Sequence, residues 1–409
     1  MPFVLYVLAS AVFAQGTSEF MLSGLLPDLA ADLGVTVSSA GLLTSAFAAG
    51  MVVGAPLMAV VGRRWDRRRA LLGFLSAFLL VHVVGAVTSS FAVLLGTRVV
   101  GAFANAGFLA VALTTAAALV GPDAKGRATS VLLSGVTLAC VAGVPAGALL
   151  GQVWGWRSAF WAVAVVSVPA LVALLRSVPG AAADSVAPSV GVRGELAALR
   201  RPRPLLTLLP AALVNGATFC SFTYLAPLAT EVTGFGTAWV PLLLALFGLG
   251  SFLGVTLAGR LADTRPVRAS AAGGVLLGAG WVLYALVAAH PVAAVVLVLV
   301  QGALSFGVGT LLIAQVLYAA AGAPTLAGGF ATAALNVGAA VGPWAGGAAI
   351  AAGHGYRGPL WVSTLLVTLA LATGGTAWRA TVRRTRTRTR ASARARTGTG
   401  DGDSAAPPG

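Results

Sequence analysis

The chain has 409 residues, 58% of them hydrophobic and only 9% charged, with a mean hydropathy of +0.93. A soluble domain carries about 25% charged residues and has too little core to hide so much apolar side chain, so a soluble enzyme, a disordered chain and a disulfide scaffold are excluded. The net charge of +15 does not point to nucleic acid, because the basic residues lie in short clusters between apolar runs and in the tail, where such clusters set membrane orientation.

In chain order, apolar runs of spanning length occur at about 3–26, 38–61, 70–89, 91–119, 129–152, 158–178, 205–228, 237–258, 269–289, 292–318, 327–352 and 359–378. Continuous runs of about 20 residues predict transmembrane helices, not the short alternating strands of a lipid β-barrel. The first run lacks a positive leading region and is followed by many more, so it is read as a first span rather than a cleaved signal. Cys140 and Cys220 lie inside apolar runs and carry no redox message.

Loops 62–70, 120–128 and 259–268, the segment 176–204 and the tail from Arg379 hold every Lys and Arg except Arg157, Arg357 and Arg98. Arg157 and Arg357 fall on the opposite face, and Arg98 falls within a span. The basic side is cytoplasmic, which predicts a multi-pass protein of the cytoplasmic (inner) membrane with both termini inside.

Segment 179–204, with Pro179, Gly180, Pro188, Pro202 and Pro204, divides the chain into halves at 1–178 and 205–378. The halves repeat. GWRSAFW at 155–161 aligns with GYRGPLW at 355–361, Pro27 with Pro227, and Gly50 and Gly54 with Gly250 and Gly254, all at one offset; Pro145 aligns with Pro343 two residues short of it. An even number of spans per copy makes the copies parallel, so the expected fold is all-α: twelve transmembrane helices in two parallel six-helix repeats, with substrate bound between them near the midplane. Residues 379–409 form an Arg/Thr-rich tail that cannot bury apolar area, so disorder is expected there, with contact to anionic lipid as one use of its charge.

Glu19, in GTSEFMLSGLLPDLA (16–30), lies inside the first run. An ionisable group at span centre costs roughly 2.5–3.5 kcal/mol even on lenient scales, so it marks function. The alternative is an interfacial carboxylate that snorkels to water. Arg98, in GTRVVGAFANAG (96–107), is the one basic residue within a span. Both lie seven residues from the outer ends of their runs, about 10 Å deep at 1.5 Å per residue. Equal depth permits an ion pair or a shared water-filled pocket; the alternative has Arg98 capping backbone carbonyls. Gln15 shares a helix face with Glu19, and Asn105 one with Arg98.

Two further motifs carry a resemblance. GRLADTRP (259–266) presents Gly259 and Asp263, and its degraded first-half counterpart AVVGRRWDRRR (59–69) leaves Asp66 as the acid. GVTLACVAGVPAGALLG (135–151) and GAAVGPWAGG (338–347) pair Gly143 and Pro145 with Gly342 and Pro343. Small residues allow close helix approach and Pro bends a helix, which suits a seam that reopens in each cycle, though small-residue packing is also common in membranes. With Arg98 followed by Gly101, these features resemble the major facilitator superfamily, and within it the twelve-helix drug:proton antiporters. Residues 1–30 and 131–151 are similar to chloramphenicol-resistance exporters of high-GC bacteria.

The resemblance implies that spans one, four, seven and ten line a cavity. Its candidates are Gln15, Asn105, Asn215, Phe219, Phe222, Gln301, Ser305 and Phe306, with Glu19 and Arg98 coupling protons and Asp66, Gly143, Pro145, Gly259, Asp263, Gly342 and Pro343 gating. The expected function is proton-coupled export of a small amphipathic drug, chloramphenicol foremost, by a monomer. The expected partners are drug, protons and membrane lipid, without nucleic acid. The alternative on the same fold is an exporter of a sugar, nucleoside or endogenous metabolite. A membrane enzyme would need clustered His, Asp or Glu at the interface, whereas His82, His290 and His354 are scattered. No metal, cofactor or catalytic residue is expected.

Overall fold

The computed structural model describes residues 2–61, 66–120, 124–177, 202–262, 266–319 and 326–375. The linker 179–204 up to Arg201, Asp263 and the basic tail lie outside the described residues. The first half contains α1 (Phe3–Phe20), α2 (Val37–Val61), α3 (Arg67–Val87) and α4 (Phe91–Ala118). Next comes α5, which runs from Lys125–Leu138 through a π-turn at Ala139–Gly143 into Val144–Trp154, and then α6 (Arg157–Ser177). The second half contains α7 (Pro202–Thr223), α8 (Val240–Ala262), α9 (Pro266–Val287), α10 (Pro291–Ala319), α11 (Leu326–Ala349) and α12 (358–375). Among the described residues, ten helices are long and apolar enough to cross a membrane. The α7 helix bends by 45° into Leu225–Glu231 and adds an eleventh; the segment Gly329–Gly375 divides at the positive-φ Gly353 into α11 and α12, making the expected twelve. Among the described residues there is no strand.

Helices form because hydrocarbon offers no partners for backbone N–H and C=O groups, so each span satisfies its own. The outward faces expose large apolar side chains such as Leu80, Leu257 and Val292, as lipid contact requires. Helix starts are set locally: Asp66 accepts a hydrogen bond from Arg69 N at 2.8 Å and caps α3, and Ser90 caps α4.

The repeat extends to packing. α1 packs on α5 and α2 on α4; correspondingly α7 packs on α11 and α8 on α10. Gly50 and Gly54 of α2 bring that helix against Val99, Ala102 and Ala106 of α4, and Gly250 and Gly254 bring α8 against the backbone of Leu299 and Ala303 of α10. The two halves meet through α2 with α11 and α5 with α8. At the arginine-poor end this closure is polar as well: Ser38 donates to Gly347 O at 2.7 Å, and Gln152 to Thr237 O at 2.6 Å. At the same end Arg157 and Trp156 donate to Asp32, tying α6 to the short helix Leu26–Asp32. Asp32 accepts both of these bonds. Its partners hold its carboxyl below the usual carboxylate range, so the tie is present at neutral pH and is lost as pH falls through that lowered range.

Candidate functional site

α1 stops at Phe20, and the chain continues as a 3₁₀ turn, Met21–Gly24, before the helix Leu26–Asp32. Ser18 O is therefore among the last four carbonyls of a helix, which lack regular partners. Arg98 of α4 supplies one. Its Nη2 donates to Ser18 O and its Nη1 to Ser18 Oγ, both at 2.9 Å. A cation at a helix C-terminus also meets the negative end of the dipole. The guanidinium is 2% exposed and lies over the Phe47 ring of α2, 4.5 Å from its centroid. The capping alternative for Arg98 is thus part of the geometry.

Ser18 Oγ also lies 2.6 Å from His82 Nε2 of α3, and His82 Nδ1 lies 2.6 Å from Phe78 O. Glu19 is half-buried at the end of α1. Arg98 acts on it through space, yet among the described residues the ion pair that forms is Arg157–Asp32, not Arg98–Glu19. Glu19 and Arg98 are thus near each other without forming a bonded pair.

Beside Glu19, Phe20 stacks on Phe219 with centroids 5.6 Å apart and meets Phe222 edge-on at 6.3 Å. Phe222 stacks on Phe247 at 4.6 Å, and Phe247 meets Phe306 edge-on. These five rings, with Cys140, Thr218, Gly248 and Ser251, line a narrow crevice between the halves. Thr218 and Ser251 spend their hydroxyl hydrogens on Val214 O and Gly248 O, which leaves their oxygens free to accept. A second small space lies behind Phe222 and Phe247, among Trp281, Tyr284 and Gln301.

The structure brings Phe219, Phe222 and Phe306 to the first crevice. The amides go elsewhere: Asn105 Nδ2 faces Met51 Sδ on α2, Asn215 donates to Leu335 O on α11, and Gln301 donates to Leu277 O on α9 while lining the rear space. Gln15 and Ser305 are buried, and their side-chain polar atoms have no protein partner. Sequence reasoning missed Phe20, Phe247, Ser18 and His82. Phe20 could have been found as the neighbour of Glu19; His82 could not, since it lies 64 positions from Ser18.

Among the gating candidates, Asp66 is an N-cap, and Arg68 of the same loop donates to Leu175 O at the end of α6. Gly259 is exposed in the last turn of α8. Gly143 closes the π-turn directly against Thr17 of α1, and Gly342 lies against the Gly216 carbonyl of α7. Both seams are within a half. Where α5 meets α8 between the halves, Gly248 of α8 packs on the backbone of Cys140 and Val141.

The profile of the Major Facilitator Superfamily matches residues 8–328. A protein of Streptomyces lividans named chloramphenicol resistance protein is 60% identical over 374 residues, covering 91% of this chain and 95% of its own length. The inner membrane transport protein YdhP of Escherichia coli K12 is 35% identical, covering 90% of this chain and 94% of its own. A crystal structure of a bacterial homolog of the human lysosomal transporter Spinster, inward-facing and unoccupied, matches with a TM-score of 0.75 at 17% identity, covering 92% of this chain and 96% of that one. At that identity it shows a shared fold.

Proposed function

We propose, for a chain that belongs to the major facilitator superfamily, that it exports chloramphenicol or a close relative across the cytoplasmic membrane in exchange for protons, without catalysing a reaction. The observation that carries this reading is the crevice of five aromatic rings between the halves, one of them Phe20, the residue next to Glu19. The name of the Streptomyces relative supports the substrate. A neutral molecule with an aromatic ring, hydroxyls and an amide stacks on Phe219, Phe222 or Phe306 and donates to Thr218 or Ser251.

With both termini inside, the arginine-poor end is the outer one, and the conformation described is closed to the outside. Glu19 takes up a proton when the outer end opens and releases it inward, and Arg98 biases it toward release. A drug in the crevice and a proton on Glu19 favour opposite conformations, and that difference couples the two flows. Coupling demands no more than differential affinity for the two conformations.

Cells carrying this chain are expected to accumulate less labelled chloramphenicol than control cells, and a protonophore is expected to restore accumulation. Equal accumulation with and without the protein rejects this substrate. Strong export of ethidium rejects the argument that a single acid needed for protons leaves none to hold a cation.

A further inference from the structure

We propose that His82 is a positioning residue, which through Ser18 holds the Arg98 guanidinium on the end of α1 and keeps it from locking onto Glu19. The inference rests on Glu19 being the proton carrier proposed above.

The hydrogen-bond chain has one consistent direction. Phe78 O can only accept, so His82 Nδ1 carries the hydrogen in the 2.6 Å bond. In the neutral ring Nε2 then offers a lone pair, and Ser18 donates its hydroxyl hydrogen to it across 2.6 Å. That turns the Ser18 oxygen's remaining lone pairs toward Arg98 Nη1, at 2.9 Å. Each member comes from a different helix: Ser18 from α1, His82 from α3, Arg98 from α4. A doubly protonated His82 breaks the chain, because Ser18 would then have no acceptor for its own hydrogen and a second cation would sit beside a buried guanidinium.

The held guanidinium is not fully used, since Arg98 Nε has no partner among the described residues. Its natural rival acceptor is the carboxyl of Glu19, one residue beyond Ser18. The other ionisable group facing Glu19 is the Cys140 thiol of α5. Around His82 the remaining neighbours are the rings of Phe78 and of Phe160 from α6, which carry no charge. His82 and Ser18 therefore decide how readily Arg98 swings from α1 to Glu19. A guanidinium that settles on Glu19 stabilises its ionised form and leaves it unready for the next proton.

The test follows the carboxyl stretch of Glu19 by infrared titration of the full chain in lipid vesicles, the band being assigned by its loss in Glu19→Gln. Ser18→Ala and His82→Leu are expected to move its midpoint about one pH unit toward acid relative to the unsubstituted chain, the size of effect a new guanidinium–carboxylate contact brings. His82→Gln, whose Oε1 can accept from Ser18, is expected to keep the original midpoint. Unmoved midpoints in Ser18→Ala and His82→Leu overturn the proposal, as does a His82→Gln midpoint that moves with His82→Leu. Should His82→Leu not fold, Ser18→Ala decides alone. Drug uptake by the same vesicles is read separately: a shifted midpoint without chloramphenicol movement keeps the positioning role and rejects the substrate.

Discussion

Glu19 and Arg98 sit on neighbouring helices and sense each other's charge without bonding, and this spacing sets what each substitution does. Glu19 accepts no hydrogen bond from the described residues, so replacing its carboxyl with an amide removes no structural contact. Glu19→Gln is expected to insert and fold normally and to lose pH-driven export in vesicles, down to the level of empty vesicles; full export would reject Glu19 as carrier. Arg98 differs, because it closes the end of α1 and is sealed by Ser18 and Phe47. Both charged residues were legible in the sequence because an ionisable group in hydrocarbon is costly and so rarely idle. The amides were not. Asn215 and Asn105 find a backbone carbonyl and a thioether on neighbouring helices, and a helix-face argument does not say which neighbour is in reach. His82 was passed over for a related reason: its role depends on a partner brought in by tertiary packing, not by spacing along the chain.

At the scale of the helix, the Gly-Pro motifs of α5 and α11 look like one device in two copies, and their spacing was legible as such. Their surroundings separate them. A Cβ at Gly342 would run into the backbone carbonyl of Gly216, which has nowhere to go, whereas one at Gly143 would meet the side chain of Thr17. Thr17 can turn, at the loss of its bond to Phe13 O. Gly342→Ala is therefore expected to cost about 1–3 kcal/mol, the range for overpacking a filled interior, seen as a lower melting temperature in detergent. Gly143→Ala is expected to melt close to the unsubstituted protein yet export more slowly, since it sits on a π-turn, a feature common at functional sites. Equal melting of the two variants would mean that α7 and α11 are free to separate. What the sequence could not supply is the partner of each seam. Gly143 and Gly342 pack within their own halves, and the α5–α8 contact between halves is made at Gly248, whose G-L-G setting resembles many other small-residue pairs in these helices.

The two halves share one packing plan but carry different chemistry. Glu19 of the first copy corresponds at the repeat offset to Phe219 of the second, while Gly16 and Gly216 remain glycine in both. Glu19 and Arg98 belong to the first half, whereas Phe219, Phe222, Phe247 and Phe306 give the second half's side of the crevice its aromatic surface. Such an arrangement works only if the halves part. The described conformation is held shut at the arginine-poor end by Ser38 on Gly347, Gln152 on Thr237 and Tyr224 lodged against Gly41. Gln152 and Thr237 are exposed, and the native Cys140 and Cys220 are buried, so a cysteine pair placed at 152 and 237 can be joined by a short thiol crosslinker with little background. The double variant Gln152→Cys with Thr237→Cys is expected to export normally when reduced, to stop when crosslinked, and to recover once a cleavable linker is cut. Drug binding from the arginine-rich side is expected to survive the crosslink, because only the arginine-poor end is sealed. Full export by the crosslinked protein would show that the halves need not separate at this end, and would remove alternating closure as the basis of transport.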